Sequence, residues 1–203
     1  MSVVLEAENL TKLYGHGKTS VRAVDGVSFQ VTAGQTFGVV GESGSGKTTL
    51  AKMLLRLEHP TSGRLLVDGV DIARADRRER RRLHTKLQVV FQDPHSSMNP
   101  RLTIAKVLAE GIVRVHPRQS IESEVDRLLE LVGLPASYAS RYAHQLSGGQ
   151  RQRVAIARAL SVSPEILVAD EPVSALDVSM RGQILNLLSE LREKLGLTTV
   201  FIS

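Results

Sequence analysis

A glycine-rich segment between residues 37 and 50, FGVVGESGSGKTTL, has the residue types and spacing needed to bind phosphate. It fits the pattern G-x-x-x-x-G-K-[ST], with an apolar run before it and a helix-forming run after it. Such glycines let backbone N–H groups turn inward onto an anion, and the start of the following helix adds a positive dipole end. Lys47 would reach the β- and γ-phosphates, and the Thr48 hydroxyl would bind Mg²⁺. The segment predicts a nucleoside triphosphate site rather than a glycine turn without a ligand.

Two carboxylates, Asp170 and Glu171, follow a later apolar run. Neighbouring side chains at a strand end point in opposite directions, so one carboxylate could face a metal ion and the other an attacking water. Alone, such a pair often only marks the start of a helix. Beside a phosphate loop, we interpret Asp170 as the metal-side group and Glu171 as the general base. Gln92, which ends another apolar run, could offer its amide oxygen to the metal or orient the water.

A second anion-binding pattern, LSGGQ, occupies residues 146–150. A serine hydroxyl and two glycines at the start of a helix offer a phosphate a donor and bare N–H groups, although an ordinary N-cap with a glycine turn has the same composition. One triphosphate needs only one cradle. The second cradle therefore predicts closure over a nucleotide held by another copy, in a head-to-tail pair with two-fold symmetry.

The elements that must position these groups indicate an α/β protein. Residues 3–10, 21–24 and 27–32 are expected to be strands, and residues 33–35 a turn, so an antiparallel hairpin element precedes the phosphate loop. Tyr14 lies in a loop of this element, where its ring could stack on a base. Taken alone, a partly buried surface tyrosine is the favoured interpretation of this residue.

Helices and strands alternate in the rest of the chain. Residues 104–115 are expected to form a helix that Pro117 ends, and residues 120–132 a second helix with Ser120 as its N-cap. A strand over residues 166–171, a helix over residues 183–195 and a strand over residues 198–203 follow the LSGGQ helix. This order predicts a parallel sheet with phosphate chemistry at the carboxyl ends of its strands, interrupted by a helical insertion.

The composition excludes several classes of protein. There is no cysteine for disulfides or thiolate metal sites, no apolar run near the length of a membrane helix, and no expected leader. With 3% aromatic residues and no tryptophan, base stacking on single-stranded nucleic acid is poorly supported. The net charge of +5 comes largely from residues 74–82. That run could contact lipid phosphates or nucleic acid, but a solvated helix with internal Glu–Arg and Asp–Arg pairs is favoured.

Taken in order, Tyr14, GESGSGKT, Gln92, LSGGQ, the ILVADE run and SALD resemble the nucleotide-binding subunits of ATP-binding cassette (ABC) transporters over the whole chain. The resemblance implies that Tyr14 stacks on adenine and that Glu171 is the catalytic base. It implies that Mg²⁺ is surrounded by Thr48, Gln92 and Asp170. The residues implied to bind the phosphates of ATP are Gly41, Ser43, Gly44, Ser45, Gly46, Lys47, Thr48 and Thr49. Those implied to contact the partner's nucleotide are Ser147, Gly148, Gly149 and Gln150, with Asp177 in the loop that crosses the dimer.

The resemblance also implies a fold class and a division of the chain. The expected fold is an α/β P-loop NTPase core with a mainly parallel sheet, an N-terminal antiparallel β-subdomain and an inserted α-helical subdomain. Residues 1–203 would form a single ABC ATPase domain. Its antiparallel part is expected over residues 1–36, its core over residues 37–101 and 151–203, and its helical subdomain over residues 102–150.

The implied function is that of the ATPase subunit that energises a membrane importer for peptides or similar small solutes. Residues 90–101, VFQDPHSSMNPR, resemble the oligopeptide, dipeptide and nickel importer branch. The expected partners are a second ATP-binding subunit and membrane permease subunits at the cytoplasmic face of the cell membrane, and no nucleic acid is expected. The alternatives are an ABC ATPase of another process, such as export or DNA repair, and a non-hydrolysing module that dimerises on ATP. The short helical insertion argues against repair relatives.

One feature of the family has no counterpart in residues 1–203. Family members carry a histidine that senses the γ-phosphate directly after the last strand, and none of the six histidines here has that position. The sequence is therefore expected to be a C-terminally truncated or defective copy. We expect it to bind ATP and to hydrolyse it poorly, because the pairing of Glu171 with that histidine is incomplete.

Overall fold

Two four-stranded sheets, one antiparallel and one parallel, organise the chain. The computed structural model describes residues 2–15, 19–42, 44–92, 98–115 and 120–203. The expectations for Ser43, for the loop at residues 93–97 and for Pro117 lie outside these ranges. The strands, in chain order, are β1 (Val3–Tyr14), β2 (Val21–Thr32), β3 (Thr36–Val39), β4 (Ser62–Val67), β5 (Val70–Asp71), β6 (Leu87–Val90), β7 (Ile166–Asp170) and β8 (Thr198–Ile202).

The antiparallel sheet has the order β2-β1-β4-β5, and the parallel sheet has the order β3-β8-β7-β6. The helices are α1 (Lys47–Leu54), α2 (Arg77–Lys86), α3 (Ile104–Val115), α4 (Ile121–Leu131), α5 (Gly148–Leu160) and α6 (Val178–Leu195), with 3-10 turns at Ala136–Ser140 and Ala143–Gln145. In the described part of the chain, no helix combines the length and apolar character needed to cross a bilayer.

The first hairpin differs from the prediction. Residues 21–24 and 27–32 belong to one strand, β2, which pairs along its length with β1. This pair contains register shifts, and Gly26 has a φ of +60°. These irregularities interrupt the alternation of apolar and polar residues along β2, which is why the sequence predicts two strands there. The turn at residues 33–35 is not a hairpin. It carries the chain from the antiparallel sheet into β3 of the parallel sheet, where the Gln35 carbonyl accepts from the Thr199 N–H at 2.9 Å.

The parallel sheet is covered on both faces, which explains the continuous apolar character of β7. Ile166 and Val168 pack into a core that also contains the antiparallel sheet and the inner side of α1. Leu167, on the opposite face, packs into a second core made largely by α3, α4, α5 and α6. The buried parallel strand predicted at residues 166–171 is therefore confirmed.

The two helices of the predicted insertion are confirmed within one residue of their expected ends. Ser120 caps α4, with its Oγ accepting from the Ser123 N–H at 3.5 Å. Gly133, at a φ of +69°, lies in the turn that follows α4. α6 begins at Val178, five residues before the predicted start, because its first turn lacks the apolar periodicity on which the prediction rested. Val178 itself is 82% exposed.

Candidate phosphate-binding and catalytic site

The phosphate loop begins at the carboxyl end of β3, where β8 anchors it. The Ser203 N–H donates to the Val39 carbonyl at 3.0 Å, and the Gly41 N–H donates to the Ser203 carbonyl at 3.3 Å. The end of the last described strand therefore lies directly beside the first glycine of the loop. This position, at the carboxyl edge of a parallel sheet, is where α/β proteins bind phosphate ligands.

Backbone conformation explains two of the loop glycines. Gly44 and Gly46 have φ values of +82° and +93°, in the left-handed region that glycine adopts at little cost. A Cβ on Gly46 would lie 1.9 Å from the Ala23 carbonyl oxygen, so β2 presses against the loop at this point. Gly41 is constrained more mildly, since a Cβ there would meet only the Ser45 hydroxyl, at 2.7 Å.

The start of α1 fits an anion. Its N-cap, Gly46, provides no side-chain capping bond, and its first turn contains no acidic residue. Among the described residues, neither a capping nor a first-turn acidic side chain therefore competes for its free N–H groups. The Lys47 ammonium lies across the loop and donates to the carbonyl oxygens of Gly41 at 2.5 Å and Glu42 at 2.8 Å. Backbone donors, a helix dipole and a lysine thus converge on one loop, as a polyphosphate requires. Thr48 and Thr49 follow in the first turn of this helix.

Asp170 is buried at the end of β7, with 9% of its surface exposed. Burial raises the pKa of this carboxyl above its ordinary value, and the neighbouring Glu171 charge raises it further, while Lys47 and Lys52 act in the opposite direction. Because Lys47 and Lys52 affect this pKa, the Asp170 carboxyl lies near α1 and the phosphate loop. A divalent cation would relieve this unfavourable buried charge.

Glu171 has an unusual backbone conformation for a residue other than glycine. Its φ is +45°, and its N–H donates to the Ile202 carbonyl at 2.9 Å, so the chain turns sharply where β7 ends. Its carbonyl oxygen accepts from the Ser174 hydroxyl at 3.1 Å. Such conformations persist where the surroundings enforce them and are common at active sites.

The predicted Mg²⁺ ligands belong to one edge of the parallel sheet. β6 pairs in parallel with β7, with Val90 opposite Ala169, so Gln92 follows the end of the strand next to Asp170. Gln92 is exposed, and Thr48 lies in the first turn of α1, the helix whose Lys47 and Lys52 influence Asp170. A carboxylate, a hydroxyl and an amide suit Mg²⁺, which takes few protein ligands and keeps phosphate or water oxygens. Among the described residues no cluster of three or more Asp, Glu, His or Cys could hold a metal alone.

Tyr14 lies on the same side of the molecule as the phosphate loop. It pairs with Val21 at the start of β2, and further along β2 the Ala23 carbonyl is the group that packs against Gly46. Its ring is 38% exposed and has the Lys12 ammonium 5.0 Å from its centroid. The tyrosine is therefore a surface ring at the edge of the site. Stacking of a base on this ring stays a prediction.

The polar side chains of the LSGGQ segment form a local cap. Ser147 Oγ accepts from the Gln150 N–H at 3.3 Å, and Gln150 Oε1 accepts from the Ser147 N–H at 3.0 Å. Gln150 Nε2 also donates to the Tyr138 hydroxyl at 3.1 Å. These reciprocal bonds are a capping box, so the ordinary N-cap interpretation holds for the described chain by itself. Tyr138, which orients Gln150, has no motif that could have revealed it in the sequence.

The two glycines of this segment are not required by the local backbone. Neither has a positive φ, and a Cβ on Gly148 would make an ordinary 3.6 Å contact with Leu176 Cδ2. A Cβ on Gly149 would lie 2.1 Å from Met180 Cε, the far end of a flexible side chain. The start of α5 therefore packs against the segment around Asp177, which precedes α6. Asp177 is exposed, and its side chain makes no capping bond.

The structure does not bring the two phosphate-binding segments together. The buried residues of α1 belong to the core on the antiparallel-sheet side of the parallel sheet. Those of α5 belong to the core on the opposite side. The phosphate loop, Asp170, Glu171, Gln92 and Tyr14 therefore gather on one part of the chain, and residues 147–150 with Asp177 lie on another.

Comparison with known proteins identifies the family of this chain. The ABC transporter family model matches residues 24–174. A Brucella ovis protein named for ATP binding in peptide import is 47% identical over 206 residues, covering 98% of this chain and 64% of that protein. The Bacillus subtilis oligopeptide transport ATP-binding protein OppF is 44% identical over 205 residues, covering 98% of this chain and 67% of OppF. The chain thus spans less than two thirds of the Brucella relative.

Solved structures of ATP-binding cassettes share the fold. A dimeric cassette, MJ0796, in a post-hydrolysis state with bound ADP and phosphate, superimposes with a TM-score of 0.85 and 32% identity over 98% of this chain and 87% of its own. Clostridium perfringens cbiO1, part of the ABC transporter complex cbiONQ, gives a TM-score of 0.86 and 29% identity over 100% of this chain and 79% of its own. Sequence and fold agree, and the chain belongs to the ABC transporter family, with the P-loop cassette fold of its ATP-binding domains.

Proposed function

We propose that this chain binds and hydrolyses ATP as the energising subunit of a membrane importer for peptides or similar small solutes. The observation that carries the proposal is the convergence of the Gly41–Thr48 loop, the start of α1 and Asp170 at one sheet edge. The peptide assignment is supported by the names of the Brucella and Bacillus relatives. We place the subunit at the cytoplasmic face of the membrane, held there by permease subunits.

The proposed mechanism assigns each step to a described residue. The loop N–H groups and the Lys47 ammonium bind the phosphates, and Tyr14 stacks on the adenine. Thr48, Gln92 and Asp170 would hold Mg²⁺, which when bound neutralises charge on the phosphate oxygens. Glu171 accepts a proton from the attacking water, and its strained backbone fixes the carboxylate relative to Asp170.

We further propose that a second copy completes each ATP site. Segments on opposite sides of the parallel sheet cannot close over one nucleotide in one chain. Gly148 and Gly149 are glycines although the chain's own backbone does not need them, which suggests that they leave room for something from outside. In a head-to-tail pair, the phosphate loop of each chain would meet Ser147–Gln150 of the other, with Asp177 at the crossing.

We propose that the permease docks in a groove along the exposed edge of β6. One end of the groove is a cavity of about 220 Å³ between the end of α1, α2 and β6. The groove continues beside α3, and Arg56, His84 and Arg114 line it. In the described chain, Nε and Nη1 of Arg56 are buried without a hydrogen-bond partner. An acidic, partly apolar permease segment would satisfy these groups.

The test of the ATP site and the pairing uses a Glu171→Gln variant, which should bind ATP but not hydrolyse it. Sedimentation velocity is expected to show single chains without nucleotide and two-chain assemblies with Mg²⁺ and ATP. Lys47→Ala in the same background is the matched control and should abolish pairing. A chain that binds no ATP, or binds it without pairing, would contradict the proposal. Copurification with a membrane permease would separate importer function from an ATP-gated dimerisation module.

Slow hydrolysis by residues 1–203 remains a prediction. Ser203 lies beside Gly41, so a residue placed directly after it would lie near the phosphate loop. Single-turnover hydrolysis by residues 1–203 can be compared with that of a longer chain that carries a histidine at that place. We expect the longer chain to be faster, and equal rates would show the prediction to be wrong.

A further inference from the structure

The positive charge of the chain is concentrated on and around α2. Residues 74–86 contain seven arginine or lysine residues and two acidic residues, a balance equal to the net charge of +5 of all 203 residues. The rest of the chain is therefore neutral overall. A field concentrated on one helix can attract an anionic partner, whereas the same charge spread over the surface could not.

The acidic residues of this segment do not neutralise it by pairing. The Asp76 carboxylate caps α2 and accepts from the N–H groups of Arg78 at 2.7 Å and Glu79 at 2.8 Å. The Glu79 carboxylate accepts from the Asp76 N–H at 2.7 Å, completing a capping box. These backbone bonds lower the pKa of Asp76 and keep it ionised. The internal Glu–Arg and Asp–Arg pairs expected from the sequence are thus replaced by caps.

Other basic residues of the segment have partners outside it. Lys86 is buried and forms ion pairs with Asp68 and with Glu165, and Arg82 lies 3.9 Å from Asp68. Arg74 lies 3.6 Å from Asp71. These residues pack against the β4–β5 turn and the start of β7, and they hold α2 in place.

Four arginines of α2 remain, and three of them lie on its outer side. The fourth, Arg80, donates from Nε to the Asp76 carbonyl at 3.2 Å. Arg77, Arg78 and Arg81 are exposed, and none has a carboxylate within ion-pair distance in the part of the chain that the structure describes. At helical spacing they lie opposite the inward-facing Leu83 and Lys86. We call Arg77, Arg78 and Arg81 the arginine stripe.

The arginine stripe lies beside the groove in which we place the permease. α2 forms one wall of the cavity at the β6 edge through Leu83 and His84. The opposite wall is the end of α1, where Leu57 is 63% exposed. Exposed basic residues next to an exposed leucine are typical of surfaces that lie at a membrane interface.

We propose that the arginine stripe binds the phosphate headgroups of anionic lipids next to the permease. The inference rests on the proposed function, because a permease in the β6 groove would bring α2 to the bilayer surface. Guanidinium groups bind phosphate oxygens through paired N–H donors. Nucleic acid is the weaker assignment, because the described stripe contains no aromatic ring that could stack on bases and the chain belongs to a transporter family.

The experiment measures cosedimentation of the chain with vesicles. Vesicles of phosphatidylcholine alone are compared with vesicles that contain about 30 mol% phosphatidylglycerol. The test variant is Arg77→Gln/Arg78→Gln/Arg81→Gln. The matched control, Lys106→Gln/Arg127→Gln/Lys194→Gln, removes the same charge from exposed positions on α3, α4 and α6. Circular dichroism and ATP binding confirm that both variants fold.

The parent chain is expected to bind the phosphatidylglycerol vesicles and to be released by salt. The test variant should lose about a hundredfold in partition coefficient, since each basic group near an anionic surface contributes about a factor of five to ten. The control variant should lose less than about threefold. Equal losses in the two variants would overturn the inference, because net charge alone would then explain the binding.

A competing polyanion distinguishes lipid headgroups from nucleic acid as the source of the phosphate that the arginine stripe binds. Duplex DNA at the same phosphate concentration should not displace the chain from the vesicles, and displacement that depends on the arginine stripe would overturn the lipid assignment. ATP-dependent pairing is measured on the same samples. If the parent pairs with ATP but does not bind the phosphatidylglycerol vesicles, only this inference is contradicted, whereas failure of pairing in the parent contradicts the proposed function.

Discussion

Gly46 and Gly149 are both glycines in phosphate-binding motifs, but the structure constrains them differently. Gly46 combines a left-handed backbone with the Ala23 carbonyl at the position of its missing Cβ. Gly149 has neither constraint within the chain, since only the mobile end of Met180 lies near its missing Cβ. The first glycine is needed for folding, and the second is available for contact with a partner.

The first prediction compares alanine at these two positions. Gly46→Ala should lower the free energy of unfolding by about 2–4 kcal/mol, because a Cβ meets backbone atoms and a disfavoured φ. Gly149→Ala should stay within about 1 kcal/mol of the parent, because the gain in helix propensity offsets the shift of Met180. Urea denaturation measures both, and ATP-dependent pairing of Gly149→Ala should weaken about tenfold or more.

The control for this prediction is Gly149→Ala combined with Met180→Ala. If Gly149→Ala were strongly destabilising and the double variant recovered stability, the glycine would serve packing within the chain. A normal pairing affinity in the single variant would equally contradict the assignment of Gly149 to a partner contact.

The second prediction concerns the buried Asp170 carboxyl. Its pKa in the folded chain is raised above the ordinary value of 3.8, so ionisation favours the unfolded state. Without nucleotide or Mg²⁺, Asp170→Asn should therefore melt at a higher temperature than the parent at neutral pH. The difference should shrink as the pH falls through the raised pKa and vanish below the ordinary one. Thermal melts across this range test it, and a lower melting temperature for Asp170→Asn at neutral pH would count against it.

At the scale of elements, α2 joins three parts of the molecule: the β4–β5 turn through Lys86, the end of α1 through Leu83, and the β6 groove through His84. Burial, together with Arg56 and Arg114, lowers the pKa of His84 below its ordinary value of 6.5. A neutral His84 therefore contributes stability that is present above that value and is lost as the pH falls.

The third prediction follows from this histidine. Between about pH 7.5 and about pH 5.5 the parent should lose more stability than His84→Gln, because protonation of His84 favours the unfolded state. The other histidines and the carboxylates are the same in both proteins. Their contributions to the pH dependence of stability therefore cancel when the two losses are subtracted. Denaturant midpoints at the two pH values provide the measurement. Equal losses of stability in the two proteins would show that the pKa of His84 does not differ between the folded and the unfolded state, contrary to this prediction.

At the scale of the whole molecule, the parallel sheet separates the phosphate loop from the LSGGQ helix. In the pair that we propose, each chain would offer one half of a nucleotide site on each side of this sheet. The fourth prediction uses two defective chains in the Glu171→Gln background, one with Lys47→Ala and one with Gly149→Ala. Each alone should retain little ATP on gel filtration, and an equal mixture should retain up to about half of the parent amount.

This limit follows from the head-to-tail arrangement that we propose, in which neither variant pairs well with itself and each mixed pair has one intact composite site. Independent sites in single chains would instead give the average of the two variants. A mixture that retains no more ATP than that average would exclude shared sites.

Much of the fold and the site could be predicted because short segments carry them. The Gly41–Thr48 loop, the N-cap at Ser120 and the buried strand β7 depend on local backbone geometry and on side chains close in sequence. The antiparallel character of the first element was predicted correctly. Its strand β2 was wrongly divided in two because a bulge and a strand break look alike in an alternation pattern. The start of α6 was missed because an exposed first turn has no apolar periodicity.

What the sequence alone determined was the set of candidate chemical groups: a predicted phosphate loop, an Asp-Glu pair after an apolar strand, and a second predicted glycine-containing cradle, each encoded within a few consecutive residues. Only the tertiary structure decided which of these groups meet. It placed the two cradles on opposite sides of one sheet, pressed β2 against Gly46, and left Gly149 without a backbone constraint. It also placed Arg82 of α2 beside Asp68 and left Arg77, Arg78 and Arg81 without a carboxylate partner among the described residues. Contacts between residues far apart in the chain depend on how the sheets and helices pack, which no local pattern records.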